Sequence, residues 1–236
     1  MLVVVNCLSQ QDSTVFKISP QLDVMSRYIW RGNDYCRSPS IQPSFKIKYK
    51  RFSFGAWGAY NKDSLQEADI FIAFDVLPDN KLTITLTDYF FPNENKYLNN
   101  YFEYNKSTTT HVYEISGLYK PVKKIPVSFL LATNIYGADA RHIDSNGKKG
   151  EIMYSTYGEI NYTTKFMEYF AGFSFMDPDE SIGETGYYGF ASGFVNIGVK
   201  AKKDIQINEN YKIPLSVSLI LNPQKENIYI VGGITF

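Results

Sequence analysis

Asn227-Ile-Tyr-Ile-Val-Gly-Gly-Ile-Thr-Phe236 is the stretch of sequence that decides the fold. Side chains along a β-strand alternate between two faces, so every second residue of this stretch shares a face. One face would carry Ile228, Ile230, Gly232, Ile234 and Phe236. The stretch therefore predicts a strand with one strongly apolar face, as a barrel wall in contact with lipid requires.

Composition is consistent with one all-β domain. The chain has 236 residues, of which 44% are hydrophobic, and it contains 19 Tyr and 17 Phe. Aromatic residues favour strands, and they also suit the two interfaces of a membrane. The 24 basic and 24 acidic residues cancel, so no general attraction to nucleic acid is expected. No motif for a cofactor or a metal ion is apparent, and we expect none.

A membrane-spanning helix is not predicted. Such a helix needs roughly 18 or more continuous apolar residues. The longest uncharged candidate, 125–138, is too short and contains Pro126 and Asn134. A transmembrane β-barrel needs no such run, because its lipid-facing surface is assembled from alternate residues of many strands.

The alternation and the turn residues predict twelve strands, and an even number is usual for bacterial outer-membrane barrels. We place them at 21–30, 41–49, 52–60, 68–77, 81–89, 111–119, 127–136, 152–162, 168–176, 190–200, 214–221 and 227–236. The last strand would pair with the first and close an antiparallel transmembrane barrel. Long and short connections mostly alternate, as they do when one end faces the exterior and the other the periplasm. Two connections break this rule, because 201–213 is longer and 222–226 shorter than expected.

The second face of the strands indicates a hydrated lumen rather than a soluble surface. On one strand, Thr83, Thr85 and Thr87 form the face opposite the apolar one. Charges are sparse on these polar faces, whereas the strands of a soluble surface carry more Lys and Glu. A soluble barrel or sandwich that binds an apolar ligand remains an alternative, because it alternates too. Strand parity places eight charged candidates in the lumen: Asp23, Arg27, Lys46, Lys48, Asp69, Asp75, Glu114 and Glu159. They would either set the selectivity of a narrow channel or pair with one another in a plugged barrel.

Ser26-Arg-Tyr-Ile-Trp-Arg-Gly32 resembles the start of the TorF-like porin family, whose early strand reads Ser-x-Tyr-x-(Trp/Phe)-Arg-Gly. The resemblance implies an outer-membrane β-barrel of porin type in a Gram-negative bacterium. The terminal strand is similar to the signal read by the barrel-assembly machinery, with Tyr229, Ile234 and Phe236 as the signal residues. Outer-membrane lipids and that machinery are the implied partners.

The N-terminal segment 1–12 is expected to be the remnant of a signal peptide or a short tail, and 13–236 the barrel domain. Its apolar start is followed by Gln10, Gln11 and Asp12, as in a cleavage region. Cys7 could instead carry a lipid. Cys36, the second of the two cysteines, is expected to be an unreactive thiol in a loop.

Catalysis is not predicted. Only His111 and His142 are available, and no serine is tied to either in the way that a lipid-facing His–Ser phospholipase pair would need. The acidic segment 177–180 with Glu184 lacks the full ligand spacing of a calcium loop. The leading hypothesis is therefore a channel for small hydrophilic solutes. The alternative is a non-conducting barrel that docks a protein partner through its long loops, including the aromatic segment 97–104, within a larger envelope complex.

Overall fold

The chain forms a closed barrel of twelve antiparallel strands in a computed structural model that describes residues 16–62, 66–92, 100–122, 124–209 and 211–236. Strands are numbered in chain order. The barrel strands are β1 (Phe16–Met25), β4 (Ser40–Tyr49), β5 (Phe52–Asn61), β6 (Gln66–Asp75), β7 (Leu82–Phe90), β8 (His111–Tyr119), β9 (Val127–Gly137), β12 (Thr156–Thr163), β13 (Met167–Ser174), β14 (Gly193–Asn208), β15 (Tyr211–Asn222) and β16 (Asn227–Thr235). Two small hairpins complete the set: β2 (Tyr28–Trp30) with β3 (Asn33–Cys36), and β10 (Arg141–Ile143) with β11 (Lys149–Ile152).

The first and last barrel strands pair, as the sequence predicts. Asp23 lies opposite Thr235 and Met25 opposite Gly233. Leu22 and Phe236 exchange backbone hydrogen bonds of 3.1 and 2.8 Å at the end of this ladder. Closure removes the two free edges that an open sheet would present to lipid, where no water can satisfy them.

The apolar side chains point away from the barrel axis. Along β16, Ile230 is 74% exposed, whereas its neighbour Val231 is 3% exposed. The same alternation on β8 leaves Ile115 exposed on the outside. A soluble barrel would turn this apolar face inward, so the apolar-ligand alternative is wrong for this fold. The outer surface is the one that a lipid bilayer stabilises.

The two ends of the barrel differ in their connections. At one end, here the short-turn end, strands are joined by 50–51, 76–81, 120–126, 164–166 and 209–210. At the other, the long-loop end, they are joined by 26–39, 62–65, 91–110, 138–155, 175–192 and 223–226. Among the described residues, no helix is long and apolar enough to cross a membrane.

Three predicted strands have wrong boundaries for identifiable reasons. The eighth begins at Thr156 rather than at 152, because Ile152 already belongs to the β10–β11 hairpin. The first barrel strand runs Phe16–Met25 rather than 21–30, because the chain leaves the wall after Met25 and forms the separate β2–β3 hairpin. The tenth predicted strand does not end at 200, since β14 continues to Asn208. The unexpectedly long turn 201–213 is therefore mostly strand, and the rule of short connections holds at that end. At the long-loop end, the connections 62–65 and 223–226 are both short and are exceptions.

Substitution by Lys should change the unfolding free energy differently on the outward and inward faces of the same strand. Ile115→Lys would put an ammonium group into the apolar belt, which costs about 2–4 kcal/mol of unfolding free energy near the bilayer midplane. Ser116→Lys is the matched control, because Ser116 faces the lumen and should lose less than about 1 kcal/mol. Denaturant unfolding from lipid vesicles measures both changes. Equal losses would contradict the assignment of faces.

Candidate functional site

The β2–β3 hairpin lies inside the barrel and contacts its wall on several sides. The Tyr28 ring packs 5.4 Å from Trp57 of β5, and the Trp30 ring 5.4 Å from Tyr89 of β7. From β15, the Nδ2 of Asn222 donates a 3.0 Å hydrogen bond to the Gly32 carbonyl. The hairpin therefore crosses the lumen at the long-loop end, and we call it the plug hairpin.

A two-residue turn builds the plug hairpin. Trp30 pairs with Asn33, and the two residues between them, Arg31 and Gly32, have φ of 48° and 77°. Positive φ at both central positions is the requirement of the hairpin turn that matches strand twist. Gly32 is also needed for space, because a Cβ there would lie 1.8 Å from the Val195 carbonyl oxygen of β14. The Trp-Arg-Gly motif thus encodes a turn that is pressed against the far wall.

Arg31, at the tip of the plug hairpin, anchors it to the wall. Its guanidinium forms a two-pronged ion pair with Glu114 of β8, in which Nη1 contacts Oε2 and Nη2 lies 3.0 Å from Oε1. The side chains of Arg31 and Glu114 are only 9% and 1% exposed. Removing one partner of such a buried pair is strongly destabilising, typically by about 3–5 kcal/mol, because the other charge stays buried and uncompensated.

Aromatic rings complete the surroundings of Arg31. The guanidinium carbon lies 4.3 Å from the Trp30 ring centre, 4.7 Å from that of Tyr157 and 5.2 Å from that of Tyr188. Arg31 Nη1 also donates to the Tyr188 hydroxyl at 2.7 Å, and the Tyr89 hydroxyl donates to Glu114 at 3.2 Å. Rings and polar partners together satisfy a charge that would otherwise be costly to bury.

The connection 175–192 covers the plug hairpin from the long-loop end. The Asn33 amide donates to the Tyr188 carbonyl at 3.1 Å, and Lys225 donates to Asn33 at 2.6 Å. Gln224 holds the connection itself, accepting from the backbone N–H groups of Phe190 and Ala191. The lumen is consequently closed by two layers at this end.

Seven of the eight charged candidates occupy inward-facing strand positions. In register, Asp23 lies beside the buried Gln42, Lys48 beside the buried Ser53, and Glu159 opposite Gly172. The inward set is Asp23, Lys46, Lys48, Asp69, Asp75, Glu114 and Glu159. Arg27 is not on a barrel strand, because β1 ends at Met25. Its guanidinium lies 3.1 Å from Asp34 and over the Tyr229 ring.

Most of these charges have partners within the protein. Lys48 contacts Asp75 at 2.7 Å, and Thr83 donates to the same carboxylate. Glu159 accepts from the amides of Asn161 and Asn196. The structure therefore has features of both alternatives. Charges line the lumen, as in a selective channel, and most of them are paired while a hairpin obstructs the passage, as in a plugged barrel. The role of these residues in selectivity stays a proposal.

Sequence reasoning missed the residues that hold the plug hairpin. The family motif places Arg31 directly after the first predicted strand, and no sequence pattern singles out Tyr157 or Tyr188. The available signal is Gly32 followed by Asn33 and Asp34, which are residue types that favour turns. Nothing local connects Arg31 with Glu114, which lies 83 positions away along the chain.

The terminal strand presents its three proposed signal residues on two faces. Tyr229 is buried towards the lumen, whereas Ile234 and Phe236 are exposed on the outer face. Cys36 is buried in the plug hairpin, where its Sγ contacts the Ser38 carbonyl at 2.9 Å. Cys7, the segment 1–12 and part of the segment 97–104 lie outside the described residues.

His111 lies on the outer side of the barrel with both ring nitrogens occupied. Nδ1 is 2.7 Å from Asp88 and Nε2 is 2.7 Å from the Tyr101 carbonyl. The ring is fully buried under Tyr101, Tyr104 and Phe90. This environment leaves neither nitrogen to activate a serine.

The acidic segment after β13 uses its carboxylates to bind backbone groups. Asp179 accepts from the Ser181 N–H at 3.0 Å and caps a short 3-10 turn, Glu180–Ile182. Glu184 accepts from the N–H groups of Asp179 and Ile143, both at 3.0 Å. No group of three or more His, Cys, Asp or Glu side chains that could hold a metal ion occurs in the described part of the chain.

Comparison with known proteins identifies barrels of outer membranes. No family model matches the sequence, and no curated protein matches it. Among solved structures, the chain is similar to the KdgM porin, with 10% identity over 92% of this chain and 98% of that one, and a TM-score of 0.48. It is also similar to the COG4313 outer membrane channel from Pseudomonas putida F1, with 10% identity, 96% and 98% coverage, and a TM-score of 0.43. At this identity, the likeness concerns the fold alone.

Glu114→Gln should release the plug hairpin, because Arg31 would keep its charge without a counter-ion in a buried position. The thiol of Cys36 reports the release in a Cys7→Ser background. We expect maleimide labelling of folded Glu114→Gln to be at least tenfold faster than labelling of the parent protein. Lys48→Met, which breaks an ion pair away from the hairpin, is the control and should leave labelling unchanged. Equally slow labelling in the Glu114 variant would show that the pair does not hold the hairpin.

Glu184 makes the covering connection sensitive to acid. The backbone N–H groups of Asp179 and Ile143 bond to the carboxylate and hold the pKa of Glu184 below its ordinary value, and His142 adds to this. The lowered pKa means that the contact contributes fully above about pH 4.3 and is lost as pH falls through the folded pKa. The Asp179 and Ile143 amide resonances should therefore titrate together in that acidic range. Glu184→Gln should abolish the transition, and an unchanged titration would contradict the assignment.

Proposed function

We propose that this protein is a channel of the outer membrane of a Gram-negative bacterium, which passes small hydrophilic solutes when the plug hairpin moves. One observation carries the proposal. Most wall residues around the lumen are polar or charged, and the obstruction consists of the plug hairpin and the connection 175–192 that covers it. The polar contacts of the hairpin can be exchanged for water at modest net cost, whereas its ion pair and the packing of its aromatic rings hold it in the closed position.

The location is supported by the surface of the barrel. Its exposed apolar residues form the belt that a lipid bilayer needs, and the wall has no open edge where β1 and β16 meet. In this location the long-loop end would face the exterior and the short-turn end the periplasm. Membership of the TorF-like family, recognition of Tyr229, Ile234 and Phe236 by the assembly machinery, and removal of the segment 1–12 belong to the same proposal.

The alternative, a non-conducting docking subunit, is favoured by a feature at the short-turn end. Pairing of β14 with β13 ends at Ala201, and pairing of β15 with β16 ends at Leu215, so the hairpin beyond these residues projects from the barrel. It exposes Ile205, Ile207 and Tyr211. A projecting apolar ribbon suits a protein partner, in addition to the long loops at the opposite end.

Single-channel recording tests the channel proposal. Wild-type protein should give rare conductance steps in a planar bilayer, and Glu114→Gln should stay open longer because its hairpin is released. A variant in which residues 29–35 are replaced by Gly-Gly should conduct continuously. Heat-modifiable migration on a gel confirms that each variant is folded. If the folded deletion variant is silent over repeated insertions, the channel proposal fails.

The docking alternative makes a different prediction for the projecting hairpin. Replacing residues 203–212 by a two-residue Asn-Gly turn should leave conductance unchanged if the protein is only a channel. A docking subunit should instead lose a stoichiometric partner that co-purifies in mild detergent with the wild-type barrel. The absence of any such partner would remove the support for this alternative.

A further inference from the structure

Tyr28, Ile29 and Arg31 of the plug hairpin line one side of a cavity of about 250 Å³ in the lumen. A water molecule occupies about 30 Å³ of liquid, so the volume corresponds to about eight waters. The cavity is thus large enough for a small organic molecule. Its lining divides into two unlike walls.

One wall of the cavity is apolar. Ile220 and Val231 are buried there with Tyr229, and Ile29 of the plug hairpin and Phe170 of β13 pack against them. Apolar side chains on inward-facing positions are unusual in a hydrated lumen, where small polar residues dominate. This wall offers a surface to the carbon chain of a solute.

The other wall carries charges, and all but one of them have a partner. Arg27 contacts Asp34, Arg31 contacts Glu114, and Glu168 contacts Lys202 at 2.6 Å. Glu159 accepts from Asn161 and Asn196 and from the Tyr157 hydroxyl. The exception is Lys200 of β14, whose ammonium group has no hydrogen bond or ion pair to the described residues, although Glu168 and Asp23 lie within electrostatic range.

The charged neighbours of Lys200 are themselves occupied. Glu168 lies directly across the ladder from Lys200 but bonds to Lys202. Asp23 accepts from Thr235 at 2.5 Å and from Gln21 at 2.8 Å. Lys200, Lys202, Glu168 and Asp23 together carry no net charge, but the three N–H donors of Lys200 make no hydrogen bond to the described residues and remain available to an anion.

The charges of the lumen are also separated along its axis. The inward positions from the cavity to the short-turn end carry Lys17, Lys46, Lys48, Lys200 and Lys202 against Asp23, Asp75, Glu159 and Glu168. Near the long-loop end, Glu67, Asp69 and Glu114 face the lumen with Arg31, while Arg27 is paired with Asp34 and Lys225 donates to Asn33. An anion entering from the short-turn end therefore meets an excess of positive charge before it reaches the cavity.

We propose that this cavity binds a small organic anion, with its carboxylate on Lys200 and its short apolar chain against Phe170, Ile220 and Val231. An inorganic anion would leave the apolar wall unused, and a neutral amide would leave the ammonium group unpaired. The proposal rests on the proposed function only in so far as the cavity lies on the conduction path. Binding to the closed barrel does not require the plug hairpin to move.

The test is direct binding of ¹³C-labelled butanoate to the purified folded barrel in a nonionic detergent, followed by NMR line broadening. Wild-type protein should bind butanoate, and Lys200→Met, of similar length but uncharged, should weaken binding at least tenfold. Lys200→Arg should retain most of it. Lys46→Met is the matched control, because Lys46 faces the same lumen outside the cavity and should bind as wild type does.

The competing ligands decide the chemical class. Butanamide and inorganic phosphate should each bind at least tenfold more weakly than butanoate. Equal binding of butanamide would overturn the role of Lys200, and equal binding of phosphate would overturn the role of the apolar wall. No butanoate binding, or equal loss in the Lys46 and Lys200 variants, would overturn the site. Because the readout is binding to a closed barrel, a silent bilayer experiment leaves this result unaffected.

Discussion

The whole structure depends on the pairing of every backbone N–H and C=O group in the wall. In hydrocarbon an unpaired group costs several kcal/mol, so a sheet that crosses a bilayer must close on itself. The ladder between β1 and β16 achieves this, and Leu22 and Phe236 complete it with two reciprocal hydrogen bonds. Once the sheet is closed, strand geometry points alternate residues towards lipid and towards the lumen. Each wall residue must therefore suit the side that it faces.

Closure creates a second requirement, because the polar side chains inside the lumen also need hydrogen-bond partners and counter-charges. Twelve strands enclose more space than the wall side chains fill, so water or another part of the chain must occupy it. The plug hairpin supplies a charge for Glu114 and a carbonyl for Asn222, and its rings pack against Trp57 and Tyr89. The connection 26–39, which joins two neighbouring wall strands, thus fills part of the lumen.

The alternation of polar and apolar residues is sufficient to predict most strands of the barrel wall, but it does not predict the hairpin inside the barrel. Residues 111–119 were predicted without error, since the period of two is regular from His111 to Tyr119. The first strand was misplaced because Arg27, Tyr28 and Trp30 continue an alternating pattern beyond Met25 while already belonging to another hairpin. Local periodicity cannot show which sheet a strand joins. Contacts such as that between Arg31 and Glu114 depend on the closed barrel, which brings distant segments together, and no short-range pattern contains them.

Net charge is a second property whose consequences depend on the fold and cannot be read from the sequence alone. The chain has equal numbers of acidic and basic residues, and the mixed signs of the inward residues suggest no selectivity when they are counted together. Position changes this conclusion, because Lys46 and Lys48 lie near the short-turn end whereas Glu67 and Asp69 lie near the long-loop end. Separated charges produce a field along the axis that interleaved charges of the same total would cancel. The ion pair between Arg31 and Glu114 lies with the acidic residues near the long-loop end, so the contact that holds the plug hairpin belongs to the acidic half of the lumen.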